Sequence, residues 1–200
     1  MAGTVVYSVV FVESSSTAGN CSPPDTQTED WSAARQTTVL TEIADGMAFW
    51  TSRASRPSPL TFVLDNLGSR PTSCEPINRP SGDRGLWIAD VLTALGLSAT
   101  PGTHLADTRS LANSRRNALG ADWGFLIFVV DSFNDVDGQF PDGRSAFAYL
   151  NGPYMVMTYD NGGWGIDRMN LVAAHETGHI FGSLDEYASS ECSTADTWGY

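Results

Sequence analysis

Gly124-Phe125-Leu126-Ile127-Phe128-Val129-Val130-Asp131 is an unbroken apolar run closed by an acidic residue. A strand with one wet face alternates apolar and polar residues, so a run without alternation predicts a strand covered on both faces by helices. The same texture recurs from Gly3 to Val12, closed by Glu13-Ser14-Ser15-Ser16, and again in Leu60-Thr61-Phe62-Val63-Leu64. Shorter strands are expected over 146–150 and 154–159. Between them, Trp31, Ala34, Val39, Ile43, Met47 and Trp50 recur at helical spacing after an N-cap at Asp30, predicting a helix to about Ala54. The tryptophans Trp31, Trp50 and Trp87 read as core. Further helices are expected over 83–96, over 103–119 and from about Asp167, while Pro71, Pro76 and Pro80 predict a loop over 66–83. The order β-α-β-α-α-β-β-β-α predicts an α/β (α+β) fold: a twisted mixed sheet with an edge strand, packed helices and one central helix.

Two hundred residues suit one domain, with 42% hydrophobic residues to build its core. Twenty-three acidic against eleven basic residues leave a net charge of -12, the opposite of the basic footprint that phosphates require, so nucleic acid is excluded as the expected partner. All eleven basic residues are arginine. Without lysine the chain cannot build a Walker A loop, a pyridoxal Schiff base or a protein-kinase phosphate site. No window approaches the roughly 20 apolar residues of a membrane span, and the N-terminus lacks the basic region and cleavage site of a signal peptide. The acidic, lysine-free composition is compatible with a secreted bacterial protein. Cys21, Cys74 and Cys192 include no Cys-x-x-Cys pair, which excludes a zinc ribbon. Cys21 and Cys74 each follow an early strand, and a disulfide between them is expected, leaving Cys192 without an obvious partner.

The stretch His175-Glu176-Thr177-Gly178-His179-Ile180-Phe181-Gly182-Ser183-Leu184-Asp185 carries the chemistry. Histidines four apart on a helix project from one face, one turn above the other, within reach of a single zinc. Glu176 sits at the edge of that face, placed to take a proton from a water at the metal without ligating it. With three histidines in the chain, the pattern arises by chance in on the order of one shuffled sequence in a thousand. Leu171-Val172-Ala173-Ala174 reads as a helix apolar nearly all round, and Gly178 leaves room for a neighbouring element. Gly182 can end the helix in a positive-φ turn and bring Asp185 back toward the metal as third ligand. Glu186 or a later residue is the alternative.

As it stands from His175 to Asp185, His-Glu-x-x-His-x-x-Gly-x-x-Asp resembles the metzincin zinc peptidases, and within them the snapalysin-like group in which Asp replaces the third His. The continuation Asp185-Glu186-Tyr187 is also similar to bacterial immunoglobulin-cleaving peptidases. The resemblance implies a zinc-dependent endopeptidase, His175, His179 and Asp185 holding Zn2+ and Glu176 as general base. It also implies a β-α-β start followed by an edge strand and then the active-site helix. Tyr154, Met155, Val156, Met157 and Thr158 are expected to form that edge, adding an extended protein or peptide substrate by backbone hydrogen bonds. Metzincins carry a Met-turn after the third ligand, yet Met1, Met47, Met155, Met157 and Met169 all precede His179. Residues 1–187 are therefore expected to be the N-terminal catalytic subdomain, and 188–200 the start of a C-terminal subdomain that continues past Tyr200.

Other readings remain beside this one. The zinc motif also suits a zinc-stabilised binding module, an inactive peptidase relative, or a hydrolase of non-peptide bonds. Asp131, Asn134, Asp135, Asp137 and Asp142 form an oxygen-rich loop in which Asp131, Asp135 and Asp137 are candidate Ca2+ ligands, although Phe133 breaks the EF-hand spacing. His104 reads as a helix-start residue.

Overall fold

Along β1 (Gly3–Ser14), β3 (Trp123–Val130) and β5 (Tyr154–Thr158) the side chains alternate between two apolar layers. Val5, Tyr7, Val9, Phe11, Ile127, Val129, Met155 and Met157 point to one face, where they pack against α1 (Ala33–Arg53) and α4 (Met169–Ile180). Val10, Val12, Leu126, Phe128, Val130 and Val156 point to the other, against Trp87, Ile88, Val91 and Leu92 of α2 (Arg84–Ala94) and Ala112 of α3 (His104–Ala118). The computed structural model describes residues 2–15, 17, 19–25, 30–54 and 59–185. Cys192, Glu186, Tyr187 and the expected subdomain of 188–200 lie outside the described residues.

Among the described residues, four α-helices cover a five-stranded sheet that also contains β2 (Leu60–Thr72) and β4 (Ala146–Ala148), in the order β2-β1-β3-β5-β4. All neighbouring pairs are parallel except β4 on β5, so the fold is mixed α/β. The core tryptophans differ in depth: Trp87 is fully buried, Trp31 nearly so and Trp50 half-buried. No described helix is long and apolar enough to cross a membrane.

Three expectations are corrected. The strand Tyr154–Thr158 is internal, hydrogen-bonded to β3 on one side and β4 on the other, and the sheet's edge on this side is β4. The loop expected over 66–83 begins later, because β2 runs from Leu60 to Thr72. Pro71 is tolerated there since β2 is an edge strand and its outward N–H positions need no partner. The N-cap of α1 is Ser32, not Asp30: its hydroxyl accepts the Arg35 N–H at 3.2 Å.

The N-terminus of α1 is tied to the carboxyl ends of β1 and β3. Trp31 donates its backbone N–H to Glu13 Oε2 and its indole N–H to Val12 O, each at 3.0 Å. Arg35 pairs with the buried Asp131 at 2.6 Å and lies over the Phe133 ring. At the same end of the sheet, a disulfide joins Cys21 and Cys74, their Cα atoms 5.4 Å apart. It links the segments that follow β1 and β2, which are sheet neighbours.

Two outcomes are expected. The disulfide closes a loop of 53 residues, so the Cys21→Ser, Cys74→Ser double variant should lose about 4 kcal/mol in denaturant unfolding by the chain-entropy estimate. A loss below about 1 kcal/mol would show that the unfolded chain is not constrained by this link. Glu13 is pushed up to about 7, chiefly by burial, with Asp30 and Asp131 adding repulsion against the Trp31 N–H that favours the carboxylate. Its folded pKa exceeds its unfolded one, so the folded state holds the extra proton and stability falls as pH rises between about 4.5 and about 7. Glu13→Gln, which keeps an acceptor for Trp31, should remove that part of the slope. The difference in unfolding free energy between variant and wild type, followed from pH 5 to 8, should move toward the variant.

Candidate metal centre

α4 is built by a short 3₁₀ turn, Ile166–Arg168, leading into Met169–Ile180. Ala173, Thr177 and Ile180 are buried toward the sheet and α1. The indole N–H of Trp50 on α1 donates to Ala174 O at 2.9 Å, and its ring lies against Gly178, the residue read as leaving room for a neighbour. The helix is not apolar and covered all round. Leu171 is 50% exposed, and four residues on, His175 has 57% of its side chain exposed on the same face.

Gly182 has φ +89°, a backbone conformation that residues with a β-carbon rarely adopt, and the helix ends there. Its N–H donates to His179 O and that of Ser183 to Gly178 O, at 3.0 and 2.9 Å. The chain then turns back and delivers Asp185 to the histidines. His175 Nε2 lies 3.1 Å from His179 Nε2, and Asp185 Oδ1 lies 3.1 Å from the first and 3.3 Å from the second. Ligands at 2.0–2.1 Å in a tetrahedron around zinc stand about 3.3 Å from one another, so the three atoms are spaced as zinc requires. Two imidazole nitrogens and one carboxylate oxygen also form a donor set that zinc takes in open sites.

The ring of His179 is oriented by a group the motif does not name. Its Nδ1–H donates to Ser183 O at 2.7 Å, which leaves the Nε2 lone pair for a metal. Glu176 is 6% exposed, and its Oε2 is buried without a hydrogen-bond partner. Burial pushes its carboxyl up to about 7, with the His179 ring lowering it and Asp185 raising it. A carboxylate held dry beside a metal-ligand cluster and free of other bonds is suited to accepting a proton.

The structure brings together His175, Glu176, His179 and Asp185 and leaves the other candidates elsewhere. Tyr154, Met155, Val156, Met157 and Thr158 are all buried inside the sheet, so they cannot receive a substrate strand. Among the described residues the edge on this side of the sheet is Ala146–Ala148, against which α4 packs. Nor do Asp131, Asp135 and Asp137 converge, since among the described residues the metal-sized clusters are the zinc-type trio and the disulfide pair with Asp25. Asp131 is spent on Arg35 and the Phe133 N–H, Asp135 on the N–H groups of Asp137 and Gly138, and Asp137 on that of Gln139. His104 begins α3, its Nδ1 2.7 Å from Pro101 O, outside that trio. Sequence reasoning missed the roles of Ser183 and Trp50: the first acts through a carbonyl that every residue carries, the second through a hydrogen bond from a side chain read only as core.

No protein-family model matches this chain, and no curated protein matches it.

The geometry leads to a direct test. The purified protein should take up one zinc ion per chain by elemental analysis. His175→Ala and His179→Ala should each weaken binding by more than the roughly 10–100-fold typical of losing an outer partner. Wild-type affinity in either variant would remove the site.

Proposed function

We propose that this protein is a secreted, zinc-dependent endopeptidase of metzincin-like type, with His175, His179 and Asp185 as metal ligands and Glu176 as general base. The observation that carries the reading is the convergence of three ligand atoms at 3.1–3.3 Å beside an unpartnered, buried glutamate. The β1-α1-β2 start and an antiparallel edge strand ahead of the helix support the zincin-like arrangement. The Cys21–Cys74 disulfide supports an oxidising compartment.

Zinc in such a site supplies Lewis acidity, polarising a carbonyl oxygen and making water acidic enough to lose a proton near neutral pH. The chain supplies the rest. Glu176 Oε2 receives the proton from the attacking water and passes it to the departing amine nitrogen, so the carboxylate is regenerated in each turnover. Ser183 holds His179 in one tautomer throughout. The free edge of β4 offers backbone N–H and C=O groups to an extended substrate running beside α4, which fixes the chain without selecting side chains. Three ligands rather than four among the described residues, with His175 open to solvent, favour catalysis over a closed structural zinc.

Glu176→Gln should keep its zinc and lose about 10²–10⁴ of the rate on an unfolded protein substrate. Zinc content by elemental analysis beside cleavage rates by gel provides the check. Undiminished turnover in that variant sinks the general-base role, and a zinc-loaded wild type without any proteolysis sinks the peptidase reading.

A further inference from the structure

Arg109 and Arg116 of α3 line a cavity of about 450 Å³ together with Trp123, Pro153 and Phe181. We propose that this cavity docks an extended acidic peptide segment of another polypeptide, its carboxylates about three residues apart and an apolar or aromatic side chain between them.

Charge makes the first argument. Acidic residues outnumber arginines by 23 to 11, yet none of the residues lining this cavity is acidic. Arg35, Arg79, Arg115 and Arg144 are paired with aspartates, and of the described arginines that make no ion pair (Arg53, Arg70, Arg84, Arg109, Arg116 and Arg168) Arg109 and Arg116 line this cavity. Among the described residues Arg109 has no ion pair, and the Nε and Nη2 of Arg116 reach only the neutral Asn117 Oδ1, at 3.3 and 3.1 Å. Two cations without counter-charges, facing one concavity in a strongly acidic chain, select carboxylates, which arginine binds through paired N–H groups.

Spacing makes the second. Seven residues along a helix separate the two arginines by about 10 Å. An extended chain in the polyproline II form, with about 3 residues per turn and about 3.1 Å rise, covers about 9 Å in three residues and returns the side chain to the same face. The intervening wall is apolar: Trp123 is 50% exposed and Pro153 and Phe181 lie beside it, so a large apolar side chain is buried while the carboxylates stay at the rim. Asn151, which also lines the cavity, donates its N–H to His179 O at 3.0 Å. A docked segment therefore lies against the turn that carries a metal ligand, without occupying the metal centre. The inference does not depend on the peptidase reading.

The test uses the full chain carrying Glu176→Gln, so that no probe is cut. Fluorescein-labelled, end-blocked peptides containing Glu-Leu-Phe-Glu or Gln-Leu-Phe-Gln are titrated by anisotropy. The glutamate peptide should bind at least about tenfold tighter, and adding Arg109→Gln with Arg116→Gln should remove that preference. Both arginines are solvent-accessible, and an unchanged melting temperature certifies the fold; should the double variant melt early, Arg109→Gln alone must cost several-fold. Equal binding of the two peptides, or binding indifferent to the arginine changes, overturns the proposal. So does a concentration-dependent dimer in sedimentation equilibrium that the arginine changes dissolve, which would assign the cavity to a second copy.

Discussion

Where α1 crosses α4, Gly46 lies so close to its neighbour that a β-carbon would stand 2.7 Å from Asn170 O and 3.0 Å from the Ala173 side chain. No larger residue fits between these backbones. One turn further along, Trp50 donates to Ala174 O, and the Thr177 hydroxyl faces Met47 Sδ at 3.7 Å. Together these contacts fix the rotation of α4 about its axis. At 100° per residue, burying Ala173 and Thr177 turns His175 outward and leaves Glu176 at the boundary between core and cleft. A twist of one residue would either draw His179 into the core beside Glu176 or turn the glutamate out to solvent. The chemistry of the site thus rests on how closely two helices approach at a glycine.

The candidate site was legible in the sequence because its geometry is local. Four residues make one turn, and Gly182 permits one reversal, so His175, Glu176, His179 and Asp185 could be read together without knowing the fold. The strand from Tyr154 to Thr158 shows the opposite case. An apolar run says that a strand is covered, not which neighbour covers it, and β4 is only three residues long, too short to announce that it takes the edge. Pro71 misled for a similar reason: a proline ends an interior strand but is harmless on an outer one, and the order of strands is not written in any single segment. The pairing of Cys21 with Cys74 was recoverable, since consecutive parallel strands with a helix between them end side by side.

The two ends of the sheet have different duties. In open α/β folds, ligands commonly bind beyond the carboxyl ends of the strands. Here that end is occupied by the disulfide, by Arg35 on Asp131, and by Arg79 on Asp25. The candidate metal-binding side chains stand instead on the C-terminal half of α4 and the turn after it, and this end of the helix reaches the amino ends of β3 and β5 through Phe181 on Phe125 and His179 on Asn151. Cross-linking and ion pairing hold one pole, leaving the other to exposed side chains whose orientation comes from one helix.

A sheet with two open sides is a template for any extended chain, including a second molecule of the same protein. The side formed by β2 is long, but a register shift opposite Val9 and Val10 and the proline at 71 interrupt its row of outward hydrogen-bonding groups. The side formed by β4 is regular but only three residues long. Neither presents the long, flat ladder on which fibrils grow. The brevity of the one strand and the broken rhythm of the other thus guard the molecule against its own copies.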